Sequence, residues 1–388
     1  MATLSQKMKL LKGLLAGESD CTGPLYVTVD LTRRCNLHCL GCRYHSPYVN
    51  NAPPENQAIV DISPHLIRNL CEELMSMNTY GLVLEGAGEP LLHPDILELV
   101  ATIKTAGFFT TLLTNGTLLK TDLIQALINL KFDMVKVSLW AASPEQYQQN
   151  YPGTHPDNFQ IVKEGIKLMA ELKAKHKSKV PSVILHFPIN RNNYQGIDAL
   201  ADLALAIGCN GLSFAPMYTV GGTLASFALS PAEEKSTKQS LSRLRKRLNS
   251  LSLSHNIDEA LLRYELGEAV WQKMPCYTPW FHARIRVDGT VLPCTRCDIS
   301  LGNLNDHSFR DIWNGSAVRA FRLQAIRSNK LPLLREHCDC NFCCFIGDNA
   351  RVHRFFKWFS PFLHYSNKGL ECPVEKTVGG RPDDIQHL

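Results

Sequence analysis

Six short apolar runs alternate with amphipathic helical segments between residues 24 and 217 of this 388-residue chain. Strands that are joined by helical crossovers run parallel, because each crossover returns the chain to the end of the sheet from which it left. The sequence therefore predicts an α/β fold, either an open doubly wound sheet or a partial barrel. The six predicted strands cover residues 25–32, 81–86, 108–116, 134–140, 182–190 and 211–217.

Three cysteines follow the first predicted strand in the segment TRRCNLHCLGC, at Cys35, Cys39 and Cys42. Ligands of parallel α/β folds collect at the carboxyl ends of the strands, so this loop lies where a site is expected. Four thiolates would close a tetrahedral zinc site or ligate every iron of a cubane cluster, whereas three leave one position open. A disulfide with a spare thiol, or three unrelated buried cysteines, are the alternatives.

The next strand ends also carry polar or glycine-rich segments. Glycines permit close backbone approach, and a glutamate at such an edge is suited to binding an ammonium group. Each loop alone also reads as an ordinary tight turn, and their recurrence after successive strands favours a shared site. The candidate binding residues are Gly86, Gly88, Glu89, Pro90, Asn115 and Ser138.

Composition limits the function classes. A formal charge of +5 without a long basic run gives no support for nucleic-acid binding. Fourteen cysteines in a chain without a secretory signal are typical of a reducing compartment, so we expect a cytoplasmic protein whose thiols serve metals or catalysis. No apolar run approaches the length of a bilayer span, and membrane contact is not expected.

The spacing Cys35-x3-Cys39-x2-Cys42 resembles the signature of the radical S-adenosylmethionine (radical SAM) enzymes. The resemblance implies a partial (β/α)6 TIM-like barrel over residues 24–217. It also implies that the three thiolates hold a 4Fe–4S cluster, whose fourth iron binds the amino and carboxylate groups of S-adenosylmethionine.

Further cofactor contacts follow from the same resemblance. Residues 86–90 would contact the methionyl amino group, Asn115 and Ser138 would lie near the ribose or carboxylate, and Gly211-Leu212-Ser213 would run past the adenine. The residue before the third cysteine is usually aromatic in the family and is Gly41 here, so Tyr44 is expected to supply that contact.

A second group of cysteines lies between residues 276 and 344. The stretch RIRVDGTVLPC predicts a β-hairpin that turns at Asp288-Gly289 and delivers Cys294. Thiol count alone leaves zinc and iron–sulfur open. The members of this group are Cys276, Cys294, Cys297, Cys338, Cys340, Cys343 and Cys344.

The order of this group resembles the SPASM extension, or its shorter twitch form. The resemblance implies one auxiliary 4Fe–4S cluster held by Cys276, Cys294, Cys340 and Cys343, with Cys297, Cys338 and Cys344 left as alternates. In some relatives a spare thiol near the barrel mouth donates a hydrogen atom, and Cys297 is the candidate here.

The resemblance implies an enzyme that cleaves S-adenosylmethionine reductively, using electrons from a donor such as flavodoxin or ferredoxin. The resulting 5′-deoxyadenosyl radical would abstract a hydrogen atom from the substrate. A small polar molecule is the expected substrate, because only about twenty residues precede the first strand and leave no room for a peptide-recognition domain. A maturase of a ribosomal peptide or protein, and a non-catalytic iron–sulfur or zinc protein, are the alternatives.

The expected organisation has five parts. They are an N-terminal extension (1–23), the barrel (24–217), a helical bridge (218–272), the SPASM or twitch domain (273–346), and a C-terminal helix and tail (347–388).

Overall fold

The computed structural model describes residues 23–49, 59–217, 222–251, 253–267, 274–326, 338, 340 and 343–359. Within these ranges ten strands form one sheet in the order β10-β9-β8-β1-β2-β3-β4-β5-β6-β7. The strands are β1 (Tyr26–Asp30), β2 (Gly81–Glu85), β3 (Phe109–Thr114), β4 (Met134–Ser138), β5 (Ser182–Ile189), β6 (Gly211–Pro216), β7 (Ser254–His255), β8 (His282–Ile285), β9 (Thr290–Leu292) and β10 (Gly302–Asn303).

Strands β1 to β6 are parallel and lie in sequence order, so the predicted α/β fold with its parallel sheet is confirmed. All six predicted strands are present, each within the predicted range. The sheet has β7 at one edge and β10 at the other within the described residues, as in an open partial barrel.

Helices connect the parallel strands, and several begin at side-chain caps. Ser63 accepts a hydrogen bond from the His65 amide at the start of α1, and Ser230 forms a capping box with Glu233 at the start of α7. The helices are α1 (Pro64–Ser76), α2 (Ile96–Thr105), α3 (Thr121–Asn129), α4 (Pro144–Asn150), α5 (Asn158–Lys175), α6 (Ile197–Ala206), α7 (Pro231–Ser250), α8 (Ile257–Leu266), α9 (Thr278–Phe281), α10 (Phe309–Trp313), α11 (Ser316–Ala325) and α12 (Ile346–Phe359).

The hairpin predicted from RIRVDGTVLPC is present as β8 and β9, which pair antiparallel. Strand β8 also pairs in parallel with β1, from Tyr26 opposite His282 to Val29 opposite Ile285. The expected boundary at residue 273 therefore does not divide the sheet, because part of the C-terminal cysteine region extends it. Residues 1–22 of the predicted N-terminal extension and most of the C-terminal tail lie outside the described residues.

Alternate residues of each strand face opposite sides of the sheet. Val27 and Val29 of β1 are fully buried in the apolar core, whereas the intervening Thr28 lines a cavity on the other side. Lys136 and Ser138 of β4 face the same cavity while Val135 and Val137 point into the core. This alternation gives the sheet an apolar outer face and a polar inner face.

Candidate functional site

A cavity of about 1250 Å³ lies over the inner face of the sheet and its carboxyl-end loops. Its walls come from the strands, the cysteine loop, helix α8 and helix α12. Most of the binding residues expected from the sequence lie together in its lining: Cys35, Cys39, Cys42, Tyr44, Gly86, Gly88, Glu89, Pro90, Asn115 and Ser138.

The three N-terminal thiols share one wall of this cavity. Burial raises the pKa of Cys35 to about 11 and that of Cys39 well above its usual value, and the other thiols of the group raise both further. The Cys42 sulfur accepts hydrogen bonds from the amides of Tyr44 (3.4 Å) and His45 (3.3 Å). Three adjacent, partly buried thiols fit an iron–sulfur cluster, because the positive charge of the irons stabilises thiolates that burial alone disfavours.

No three His, Cys, Asp or Glu side chains converge on a single-ion site in the part of the chain that the structure describes. In a four-iron cluster each thiolate binds its own iron, which is a different arrangement of donors.

Glu89 is the buried carboxylate of the cavity and is 2% exposed. It accepts hydrogen bonds from the Thr114 hydroxyl (2.6 Å), the Asn115 amide (2.7 Å) and the Leu91 amide (3.2 Å). Burial raises its pKa to about 7, although these three hydrogen bonds act in the opposite direction. A fixed, buried carboxylate in a cavity wall is suited to a cationic ligand such as an ammonium group.

The glycines beside Glu89 serve the packing of two loops. A Cβ on Gly88 would overlap the carbonyl oxygen of Arg34, and one on Gly86 would lie 2.9 Å from that of Thr32. The Gly88 amide donates to the Thr32 oxygen at 2.9 Å and the Glu89 amide to the Arg34 oxygen at 2.7 Å. The close approach predicted for these glycines is therefore an approach to the cysteine loop, which they hold against Glu89.

Asn115 and Ser138 line the cavity and also hold its walls together. The Asn115 side-chain amide donates to Asn36 in the cysteine loop at 2.8 Å. The Ser138 hydroxyl accepts from the Trp140 indole at 2.8 Å, and its carbonyl accepts from the Tyr151 hydroxyl at 2.8 Å. Pro90 opens a single 3-10 turn, Pro90–Leu92, directly after Glu89.

The space beside Gly41 is filled by two residues from other loops. A Cβ on Gly41 would lie 2.9 Å from the Met217 sulfur and 3.5 Å from the Trp140 ring. Tyr44, expected to supply an aromatic contact here, instead accepts a hydrogen bond from Arg284 at 3.0 Å, and the guanidinium lies 5.8 Å from the centroid of its ring. Trp140 is therefore the aromatic side chain beside Gly41, and its position two residues after Ser138 was the signal that could have identified it.

Gly211 does not line the cavity. It begins β6 at the amino end of the strand, where a Cβ would overlap the backbone oxygen of Ser254 in β7. The glycine is required by the pairing of β6 with β7, and the expected adenine contact at Gly211 is corrected by this placement. The carboxyl half of β6 does reach the cavity, where Ser213 contacts His186 at 3.2 Å between Oγ and Nδ1.

The four cysteines expected to hold the auxiliary cluster lie close to one another. Burial raises the pKa of Cys276, Cys294 and Cys343, and the charges of neighbouring thiols, including those of Cys340 and Cys344, raise it further. The Cys344 thiol is therefore a fifth member of this group of neighbouring thiols. Cys344 lines the cavity as well, and its sulfur lies 3.0 Å from the Thr295 hydroxyl.

Cys297 is buried outside the cavity lining and forms a disulfide with Cys338. A sulfur in a disulfide carries no hydrogen to donate, so the expectation that Cys297 is a hydrogen donor is corrected by this structure. The cysteine of the C-terminal group that faces the cavity as a free thiol is Cys344.

Ion pairs join the N-terminal cysteine loop and strand β1 to the auxiliary cysteine region. Arg284 of β8 binds Asp30 of β1 with both side chains buried (4% and 1% exposed), and it also donates to the Thr295 carbonyl at 3.0 Å and the Tyr44 hydroxyl at 3.0 Å. Arg43 forms a second link through an ion pair with Asp298. The residues that follow Cys42 are thus tied to those that follow Cys294.

Comparisons with known proteins match this geometry. The family model described as the radical SAM superfamily matches residues 29–204, and that described as an iron–sulfur cluster-binding domain, SPASM, matches residues 276–345. The chain belongs to the radical SAM superfamily and carries a C-terminal SPASM domain. It is 25% identical over 336 residues to the PqqA peptide cyclase of Ruegeria pomeroyi, covering 84% of this chain and 82% of that protein.

Two further likenesses extend over most of the chain. The AdoMet-dependent heme synthase of Methanosarcina barkeri is 25% identical over 319 residues, covering 76% of this chain and 83% of that protein. The structure of SuiB from Streptococcus suis bound to S-adenosylmethionine has a TM-score of 0.61 at 17% identity, covering 88% of this chain and 76% of that one. The last likeness supports the fold.

The radical SAM domain binds a 4Fe–4S cluster and S-adenosylmethionine, and the SPASM domain binds auxiliary iron–sulfur clusters. These are the cofactors expected from the two cysteine groups. In the described ranges, every helix is too short or too polar to span a bilayer.

Proposed function

We propose that this protein is a peptide maturase that removes hydrogen from a residue of a peptide substrate. The PqqA peptide cyclases at 25% identity support a peptide substrate, because they align over more than three quarters of this chain. They favour this reading over the small polar molecule expected from the sequence.

The observation that carries the proposal is the size and composition of the cavity. Its volume of about 1250 Å³ exceeds the range of about 300–1000 Å³ that is common for sites holding one small ligand. The end beside Cys35 and Glu89 provides thiolate ligands for the cluster and a carboxylate that accepts hydrogen bonds from an ammonium group. The other end, lined by Lys136, Arg263 and Cys344, leaves room for a substrate side chain.

The cluster and S-adenosylmethionine supply the 5′-deoxyadenosyl radical that accepts a hydrogen atom from the substrate. The chain contributes orientation. Glu89 holds the cofactor ammonium group, Trp140 and Met217 cover the space beside Gly41, and the sheet closes the floor against water. Gly86 and Gly88 keep Glu89 at the cysteine loop, so a change in either loop displaces the other.

One auxiliary 4Fe–4S cluster on Cys276, Cys294, Cys340 and Cys343 completes the proposal. Removing two hydrogens from the peptide requires loss of a hydrogen atom, then of an electron and a proton. An auxiliary cluster held by these cysteines would supply an acceptor for that electron, and its support is that Cys344 lies among the same thiols and in the cavity lining. A flavodoxin or ferredoxin would supply the electron that cleaves S-adenosylmethionine.

The test uses the anaerobically reconstituted protein with dithionite, S-adenosylmethionine and synthetic peptides translated from the short reading frames beside its gene. We expect formation of 5′-deoxyadenosine to coincide with a peptide mass loss of two hydrogens. The Cys35→Ala/Cys39→Ala/Cys42→Ala variant is the control and should leave the peptide unchanged. The proposal fails if the peptides remain unmodified while a small polar metabolite stimulates formation of 5′-deoxyadenosine. That result would favour a small polar molecule as the substrate.

A further inference from the structure

We propose that Lys136 and Arg263 form a subsite that binds a carboxylate of the substrate in the inner part of the cavity. The inference rests on the proposed function in one respect, that substrate enters this cavity. It adds a chemical requirement: the substrate carries a carboxylate near the reacting carbon, from an acidic side chain or from a free C-terminus.

Lys136 is the basic residue on the inner face of β4. It lies opposite Leu113 of β3 and Ile184 of β5, so its strand neighbours at that level are apolar. Its side chain lines the cavity. The ammonium group makes neither a hydrogen bond nor an ion pair with any residue that the structure describes, which leaves its three donors available to a ligand.

Arg263 approaches the same space from helix α8. One of its terminal nitrogens donates to the Cys344 carbonyl at 2.7 Å, whereas its Nε is buried without a hydrogen-bond partner. The acidic residue one turn earlier on the helix, Glu259, forms an ion pair with Arg351. A buried guanidinium nitrogen with no partner is uncommon in proteins, and a ligand oxygen would satisfy it.

The two cations lie close enough to act on each other and on His186. The pKa of His186 falls to about 3 because of burial first and then because of the charges of Lys136 and Arg263. Burial also lowers the pKa of Lys136, and the positive charge of Arg263 lowers it further. Two positive charges beside a neutral imidazole therefore share one poorly solvated space, and an anion between them would relieve their repulsion.

The acidic groups nearby do not replace such an anion. Glu85 and Glu259 both raise the pKa of Lys136, but neither forms a direct ion pair with it among the described residues. Glu85 lies two strands away on β2, and its largest charge interaction is with Arg284. The inner cavity thus retains a cationic side at β4 and α8.

This subsite is separate from the part of the cavity assigned to the cofactor. Lys136 precedes Ser138 by two residues on β4, which places it about 6.6 Å deeper along the strand. A carboxylate held there would leave its neighbouring carbons directed towards Ser138 and the cysteine loop. Lys136 and Arg263 would then decide which C–H bond faces the cofactor.

The test measures binding by calorimetry to the anaerobically reconstituted protein with S-adenosylmethionine bound. The probes are N-acetylglutamate N-methylamide for an acidic side chain, N-acetylalanine for a C-terminal carboxylate, and N-acetylglutamine N-methylamide as the neutral analogue. We expect one acid to bind at least about tenfold more tightly than the neutral amide. The acid that does so identifies the source of the carboxylate.

Lys136→Met should abolish this preference and Arg263→Met should reduce it, whereas Lys167→Met, on the exposed side of α5, should preserve it. If Lys136→Met binds S-adenosylmethionine more weakly than the parent protein does, Lys136→Gln replaces it in the test. Equal affinity for acids and amide, no acid binding up to about 20 mM, or an unchanged preference in a folded Lys136 variant would each overturn the proposal. Acid binding without peptide modification would leave the subsite standing and refute the maturase.

Discussion

Replacing Arg284 by methionine tests the buried link between the first barrel strand and the auxiliary region. The change removes three contacts to the Asp30 carboxylate, from Nε at 3.1 Å to each oxygen and from Nη2 at 2.7 Å to Oδ2. Asp30 would remain 1% exposed with its charge uncompensated. Breaking a buried pair in this way costs about 3–5 kcal/mol, because the desolvated charge loses its only comparable stabilisation.

Two further hydrogen bonds disappear in the same variant, those from Arg284 to the Thr295 carbonyl and to the Tyr44 hydroxyl. We therefore expect the free energy of unfolding to fall by about 3–5 kcal/mol or more at neutral pH. Anaerobic urea unfolding followed by circular dichroism measures the change. Arg351→Met is the matched control, because that side chain is 58% exposed and its ion pairs are solvated, so its loss should cost less than about 1 kcal/mol.

A double variant separates the pair from the packing around it. Asp30→Leu combined with Arg284→Met replaces both charges by apolar groups and should recover much of the lost stability, since the uncompensated charge is gone. If Arg284→Met alone costs less than about 1 kcal/mol, the Asp30 carboxylate is reached by water, and the argument from burial fails.

The remaining predictions concern the binding of S-adenosylmethionine and the iron content of the two cysteine groups. Because burial raises the pKa of Glu89 to about 7, ionised Glu89 increases as pH rises from 6 to 8, and calorimetric affinity for S-adenosylmethionine should rise over that range. Glu89→Gln should flatten this profile and weaken binding about tenfold or more, and an unchanged profile would assign the titration to another group. Gly41→Phe should weaken S-adenosylmethionine binding relative to Gly41→Ala, because a larger side chain must displace Met217. If the phenylalanine variant binds with the affinity of the parent protein, the Met217 side chain moves aside without cost to the site. Reconstituted protein should contain about eight irons, and about four after the three N-terminal cysteines (Cys35, Cys39 and Cys42) become alanine; stoichiometric zinc in the C-terminal group would refute the auxiliary iron–sulfur cluster.

The sequence predicted those features that depend on local patterns. The six strands follow from apolar runs, and each lies within its predicted range. Helix α4 has a largely polar segment, PEQYQQN, whose apolar pattern does not indicate a helix, although Ser143 caps it through a hydrogen bond from the Gln146 amide.

Features that depend on distant pairing had no local signal. The parallel pairing of β1 with β8 joins residues 256 positions apart, and a hairpin pattern does not indicate a third neighbour. The filling of the space beside Gly41 by Met217 likewise follows from the packing of separate loops. Gly211 lies at the amino end of β6 because a glycine at a strand start serves sheet pairing as readily as ligand approach, whereas Ser213 of the same predicted stretch reaches the cavity.

The position of β8 beside β1 has a consequence for synthesis on the ribosome. Strand β1 is made early, yet its second neighbour, at residues 282–285, emerges only after more than two thirds of the chain has been translated. Until then one edge of β1 presents unpaired backbone groups, which are a template for intermolecular association. A protein truncated before β8 should therefore aggregate during expression, and the nascent chain should depend on chaperones until its last third has been released.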